Sequence, residues 1–269
     1  MREPVPRDVV YQYDGSLEGF YCCLFESLRR GELPAALEDA ADAQPRLFAP
    51  VWIETDPAHA LRVQRSIGEK IAPRALHLTE TVFLSCLEEK ELHLLHFLLR
   101  GWREGAGFLR RGWSDPQLAL LLKAERHLAH EAHLLTGFVR FSDYDGHLAA
   151  TITPKNFVLP FLAPHFAARY RGEHFMIFDK THRAALIHQP GGSRIVAAEH
   201  IEFPAVSAEE ARYRALWKHF YDTVAIEGRE NPRCRMTHMA KRYWENMTEL
   251  QPEKAPLPMI ESGAEPAIL

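Results

Sequence analysis

The sequence predicts an α+β fold: a helical subdomain over about 57–134, packed with a mostly antiparallel sheet and C-terminal helices over 135–250. Three observations predict it. Residues 76–134 are almost entirely helical in pattern. From Gly137 the pattern changes to short runs separated by turn signals such as Asp145-Gly146. Helices and hairpins fall in separate blocks, which argues against a doubly wound sheet.

The elements follow in order. Tyr11–Tyr13 reads as a strand end, and Asp14-Gly15-Ser16 as a turn. Leu17, Phe20, Tyr21, Leu24 and Leu28 recur at helical spacing, so a helix runs from about Leu17 to Arg30 and stops at Gly31. The acidic, Ala-rich residues 32–45 read as a surface connection, and Val51–Glu54 as a short strand. Asp56-Pro57, an N-cap with a first-turn proline, opens a helix to about Ile71. Further helices fall at roughly 78–87, 89–101 and 116–134. Gly137–Asp143 and Leu148–Thr153 form a first hairpin, and Phe175–Phe178 with Ala184–His188 a second. A short helix near Phe161–Tyr170 lies between them, and Arg194–Ala198 adds a strand. Ser207 and Glu210 make a capping box for a helix to about Val224, whose apolar face is Tyr213, Leu216, Trp217, Phe220, Tyr221 and Val224. A shorter helix covers His238–Met247. The chain thus reads as one compact domain over 1–250, with a Pro-rich tail at 251–269 expected to be mobile.

Composition excludes several classes. With 46% apolar residues, 10% aromatics, 15 Gly and 18 Pro, the 269-residue chain is neither collagen, coiled coil nor wholesale disorder. The apolar run near Leu92–Leu99 is far short of a membrane span and is broken by His93 and His96. The charged, Pro-containing N-terminus has no apolar core of a signal peptide. The four cysteines form no C-x-x-C pair and read as reduced, mostly buried thiols of a cytoplasmic protein. Net charge is −4, but unevenly spread: residues 1–60 carry 5 Lys/Arg against 11 Asp/Glu, while 229–243 carry 5 against 1. Such asymmetry permits a local nucleic-acid contact.

Several constellations bear on chemistry. His127, His130 and His133 lie three apart on one helix, but the string is not H-E-x-x-H and no metal site is assigned. Glu125 falls among the apolar positions of that helix and needs a partner, for which Arg140 is a candidate. Asp14, Ser16 and Glu18 sit at a strand-to-helix turn, either as caps or beside a bound group. His165 and Arg169 share a helix face, either to contact a phosphate or base or to tie the helix to Asp179. Arg233, His238, Lys241 and Arg242 stand beside Tyr243 and Trp244, a mixture of cations and stacking rings that suits single-stranded or distorted nucleic acid. No phosphate-binding glycine loop, dinucleotide fingerprint or serine-nucleophile motif is present, and no cofactor is assigned.

Tyr13-Asp14-Gly15-Ser16-Leu17-Glu18-Gly19-Phe20, Val158-Leu159-Pro160 through His165 to Tyr170, and Asn231-Pro232-Arg233 with Met239 to Trp244 carry a resemblance. Over roughly residues 10–250 the chain resembles the bacterial family of "probable DNA metabolism" proteins. Members look like a domain fused to some uracil-DNA-glycosylase-type proteins or encoded beside a radical-SAM protein. The resemblance implies an accessory protein that contacts DNA or a DNA-repair enzyme. His165, Arg169, Arg233, His238, Lys241 and Arg242 would face the DNA, and Tyr243 or Trp244 would stack on an exposed base. No catalytic residue carries over. The chain has no iron–sulfur cysteine motif, so radical chemistry would belong to the partner. Two alternatives stand beside this reading. One is an enzyme acting on a nucleobase or nucleic-acid backbone, with Asp14, Glu18 and His165 as acid/base groups. The other is a protein-interaction module that recruits such a partner, which a large exposed apolar patch would favour.

Overall fold

The computed structural model describes residues 4–41, 50–224, 226 and 231–251. The architecture is mixed α and β, in two compact units. The first comprises Met1–His133 and Lys155–Val158, the second Leu134–Pro154 and Leu159–Leu269. The Pro-rich stretch from 252 onward lies outside the described residues.

The first unit opens with β1 (Val5–Tyr13), α1 (Leu17–Arg30) and β2 (Glu32–Asp39). The last of these corrects the expected surface connection: residues 32–39 pair parallel to β1, and β3 (Pro50–Trp52) pairs parallel on its other side, giving the order β2-β1-β3. The alternation in Glu32–Asp39 is masked by Pro34 and acidic residues, yet Ala36 and Leu37 are buried. The central strand contributes Val10, Tyr11 and Tyr13 to the core. Burial and the Glu32 carboxylate push the Tyr11 phenol upward. That hydroxyl donates to Glu32 at 2.6 Å.

The helices follow their caps. In α1 the Ser16 hydroxyl accepts from Gly19 N–H at 2.9 Å, and Gly31 ends the helix in the left-handed region. Asp56 caps α2 (Pro57–Lys70) through the N–H groups of Ala58 and His59. Three more helices follow: α3 (Pro73–Phe83), α4 (Lys90–Glu104) and α5 (Pro116–Phe138); of the last, residues 116–133 belong to this unit. Leu78, Val82, Leu94, Leu95, Phe97, Leu98, Leu118 and Leu121 join the β1 tyrosines in one core. The Glu125 carboxylate pairs with Arg74 across to α3, not with the candidate Arg140. Arg140 binds Glu249 instead, at 2.7 Å.

The second unit holds the sheet β4-β5-β6-β7-β8, formed by Ser142–Tyr144, His147–Ile152, His174–Asp179, Ala184–Gln189 and Gly192–Ala197. Three of its four pairings are antiparallel; β5 and β6 run parallel. The first hairpin is shorter than expected because α5 runs on to Phe138, leaving only Ser142–Tyr144 as strand. Asp145 and Gly146, both at positive φ, turn it as a two-residue hairpin. The crossover helix α6 (Leu159–Arg169) buries Leu159, Leu162 and Phe166 and packs on β7 and β8. Beyond the sheet come α7 (Ala208–Val224), α8 (Pro232–His238) and α9 (Lys241–Trp244). The last is shorter than the helix expected over His238–Met247.

One backbone position is tightly constrained. Gly15 sits at φ 74°, and a Cβ there would collide with the Asp39 carboxylate. A side chain must adopt the left-handed region and also displace Asp39. Gly15→Ala is expected to destabilise the protein by about 2 kcal/mol or more in urea unfolding; an unchanged midpoint would contradict this geometry.

Candidate functional site

Three groups of side chains could carry function. The first is the pole where the parallel strands end. β1, β2 and β3 run the same way, so the residues following them gather on one edge. In open parallel sheets that edge is where ligands bind. Here it is filled by its own chain. One Asp14 oxygen accepts from Ser16 N–H at 3.0 Å and Ser16 Oγ at 2.6 Å; the other accepts from Thr55 at 2.8 Å. Burial raises the Asp14 carboxyl, but the bonds from Ser16 and Thr55 outweigh it and hold it below its ordinary value. Asp14 is a capping anion. Glu18 is exposed in the first turn of α1. Both lie in the first unit, while His165 lies exposed on α6 in the second.

The second group was not legible in the sequence. Asn156 is fully buried, and its Nδ2 donates to Glu131 at 2.6 Å and lies 3.1 Å from His127 Nδ1. Its Oδ1 accepts from Cys86 N–H at 2.9 Å, and the Cys86 thiol lies 3.8 Å from the same His127 nitrogen. Glu131, 2% exposed, also accepts from the backbone N–H groups of Lys155 and Asn156. Cys86 is exposed, as is Cys234, which corrects the expectation of mostly buried thiols; Cys22 and Cys23 are buried.

A thiol, an imidazole and an amide in this order look like a nucleophile, its base and an orienting group. The hydrogen bonds decide otherwise. Cys86 N–H and the Glu131 carboxylate fix which end of the Asn156 amide faces which way. Its N–H therefore points at His127 Nδ1, which must accept and be proton-free. A base taking the thiol proton there would face the amide N–H donor to donor. The cluster is a hydrogen-bonded clamp, buried at Glu131 and Asn156 and exposed at Cys86 and His127. A signal was available in part: Glu131 occupies a helix position that packs inward, beside Leu128 and Ala132. His130 and His133 are exposed on the same helix. Among the described residues no group of three His, Cys, Asp or Glu side chains is placed to hold a metal.

The third group comprises the expected nucleic-acid contacts, all in the second unit. Arg169 is exposed, its guanidinium 5.8 Å from the Tyr170 ring. The alternative tie to Asp179 is not made: Asp179 is fully buried and accepts from Thr181 and His182 in its own turn. Arg233 and Lys241 are exposed, with no carboxylate partner among the described residues. The side chain of His238 lies outside the described residues. Arg242 stacks 4.5 Å over Tyr243 and donates to its hydroxyl at 2.7 Å. Tyr243 is only 3% exposed and packs on Phe138, so its ring is not presented to a base. Trp244 is half-buried, its indole N–H donating to the Met239 carbonyl at 3.0 Å.

The helix α7 departs most from its expected role. Its polar face turns inward. Glu210 accepts from Asp143 N–H and from Arg214, Arg214 reaches Ser142, and Lys218 donates to the Glu249 carbonyl. Its apolar face turns outward: Tyr213, Leu216, Phe220 and Val224 are 54–60% exposed. Trp217, at its margin, lies under Arg140 and stacks on Phe220.

Residues 88–249 match the family model of DUF4130, a domain of unknown function. The chain belongs to this family. No curated protein and no solved structure matches it. The DUF4130 match takes in α7, the cations of the third group and the His127–Glu131–Asn156 part of the clamp.

Proposed function

We propose that this protein is an accessory protein of DNA metabolism that docks on a DNA-repair enzyme through the outward face of α7. The observation that carries the reading is the inverted polarity of that helix. An amphipathic helix normally buries its apolar stripe against its own core. Here four large side chains, spaced over three turns, are left in water while Glu210, Arg214 and Lys218 anchor the helix. Contiguous exposed apolar surface of this kind marks a protein interaction site. Helices dock into partner grooves through anchors at this spacing. The family resemblance names the partner class: a radical-SAM or uracil-DNA-glycosylase-type protein.

The exposed cations support a second contact, with DNA. Arg169, Arg233 and Lys241 carry charge without a carboxylate partner among the described residues, whereas Arg140 and Arg214 are paired. With Tyr243 buried, these cations would position phosphates rather than read bases.

Binding to a uracil-DNA-glycosylase-type and to a radical-SAM protein, measured by calorimetry, tests the docking. Leu216→Glu/Phe220→Glu is expected to weaken the interaction by at least about 30-fold. The melting temperature should stay within about 2 °C, since both side chains are already exposed. Wild-type affinity in the folded double variant removes α7 from the interface. For DNA, Arg169→Ala/Arg233→Ala/Lys241→Ala is expected to flatten the log–log salt slope for duplex by about 2.7. An unchanged slope removes these three cations from the contact.

A further inference from the structure

We infer that the first unit binds a nucleotide-like anion, a base with its phosphate, in a groove between α1, α2 and α4. The groove encloses about 540 Å³, within the range of small-molecule sites. Its walls are Phe25, Val63 and Trp102, and its cations are Arg29, Arg62 and Lys70. Among the described residues no carboxylate lines it. Glu26 neutralises Arg29 through two short bonds, at 2.9 and 2.7 Å. Arg62 and Lys70 have no carboxylate partner among the described residues, and both are exposed. They stand on one helix, about 12 Å apart along its axis at 1.5 Å per residue. The groove therefore holds uncompensated positive charge at two separate places.

The aromatic wall is pre-set. The Trp102 indole N–H donates to Ser66 Oγ at 3.1 Å, which fixes the plane of the ring. Phe25 is already engaged, stacked on His59 at 3.9 Å with Arg62 5.9 Å from its centre. Trp102, half-buried against the core, is thus the ring with no stacking partner among the described residues, and Phe25 the side that holds Arg62 in place. A fixed indole beside unpaired cations suits a ligand with a flat ring and a phosphate. A free nucleotide and a single strand of nucleic acid share that chemistry. Of the six residues only Trp102 falls within the family match. The inference stands on this groove alone and does not rest on the docking of α7.

Calorimetric titration of the full chain at low salt tests it, with 5′-deoxyadenosine monophosphate, inorganic phosphate and a ten-residue oligodeoxythymidine as probes. The nucleotide or the oligonucleotide is expected to bind at least about five-fold more tightly than phosphate, the least that ring stacking contributes. Arg62→Ala/Lys70→Ala, at two exposed positions, is expected to weaken that binding at least about ten-fold, the loss of two phosphate-directed charges. Tighter binding of the oligonucleotide, with a salt slope of about −1.4 to −2.1, identifies a single strand; equal binding identifies the free nucleotide. Leu216→Glu/Phe220→Glu should leave all of this unchanged, so failure here is separable from failure of the docking. The inference is overturned if no probe binds, if phosphate binds as well as both the nucleotide and the oligonucleotide, or if Arg62→Ala/Lys70→Ala binds as the wild type does.

Discussion

A buried carboxylate must be fully bonded or it destabilises the fold by several kcal/mol. Glu131 meets that condition by drawing the chain to itself. Lys155 N–H, Asn156 N–H and Asn156 Nδ2 all point at it. This is what commits residues 155–158 to the first unit, between β5 and α6 of the second. Asn156 passes the constraint on to Cys86 N–H, and Phe157 N–H bonds the Leu84 carbonyl at 2.9 Å. The end of α3 and the segment after β5 are thereby held by one charged group.

The same constraint decides where function is sought. An amide locked by two partners cannot turn its oxygen towards His127, so an imidazolium formed there would meet the amide N–H donor to donor. Asp14 is likewise committed to capping. At the surface, polarity is the guide. The face of α7 that should be buried is in water, and its charged face is bonded inward. In the first unit, cations without counterions border a fixed indole.

Local signals in the sequence located most helices. Ser16 and Asp56 are caps as read, Gly31 is the stop, and Asp145-Gly146 makes the hairpin. Non-local choices were not legible. β2 pairs with a strand 27 residues away by register, Val5 with Glu32, and its own composition hides the alternation. Glu125 was recognised as needing a partner, but a helix position cannot say whether Arg74 or Arg140 will reach it. The spacing of apolar residues in α7 shows a stripe, and periodicity does not say which side faces water. Nor does a sequence place Cys86, His127 and Asn156 together, since 70 residues separate the first from the last.

A double-mutant cycle between Glu131 and Asn156, read as unfolding free energy, addresses the clamp most directly. Glu131→Gln and Asn156→Ala should each be costly, and their coupling should reach about 1.5–3 kcal/mol, as for bonds to a buried charge. Additivity within about 0.5 kcal/mol, or a gain in stability from either change, would contradict the account. The cluster would then be a site maintained at the expense of the fold, and its thiol the place to look for chemistry.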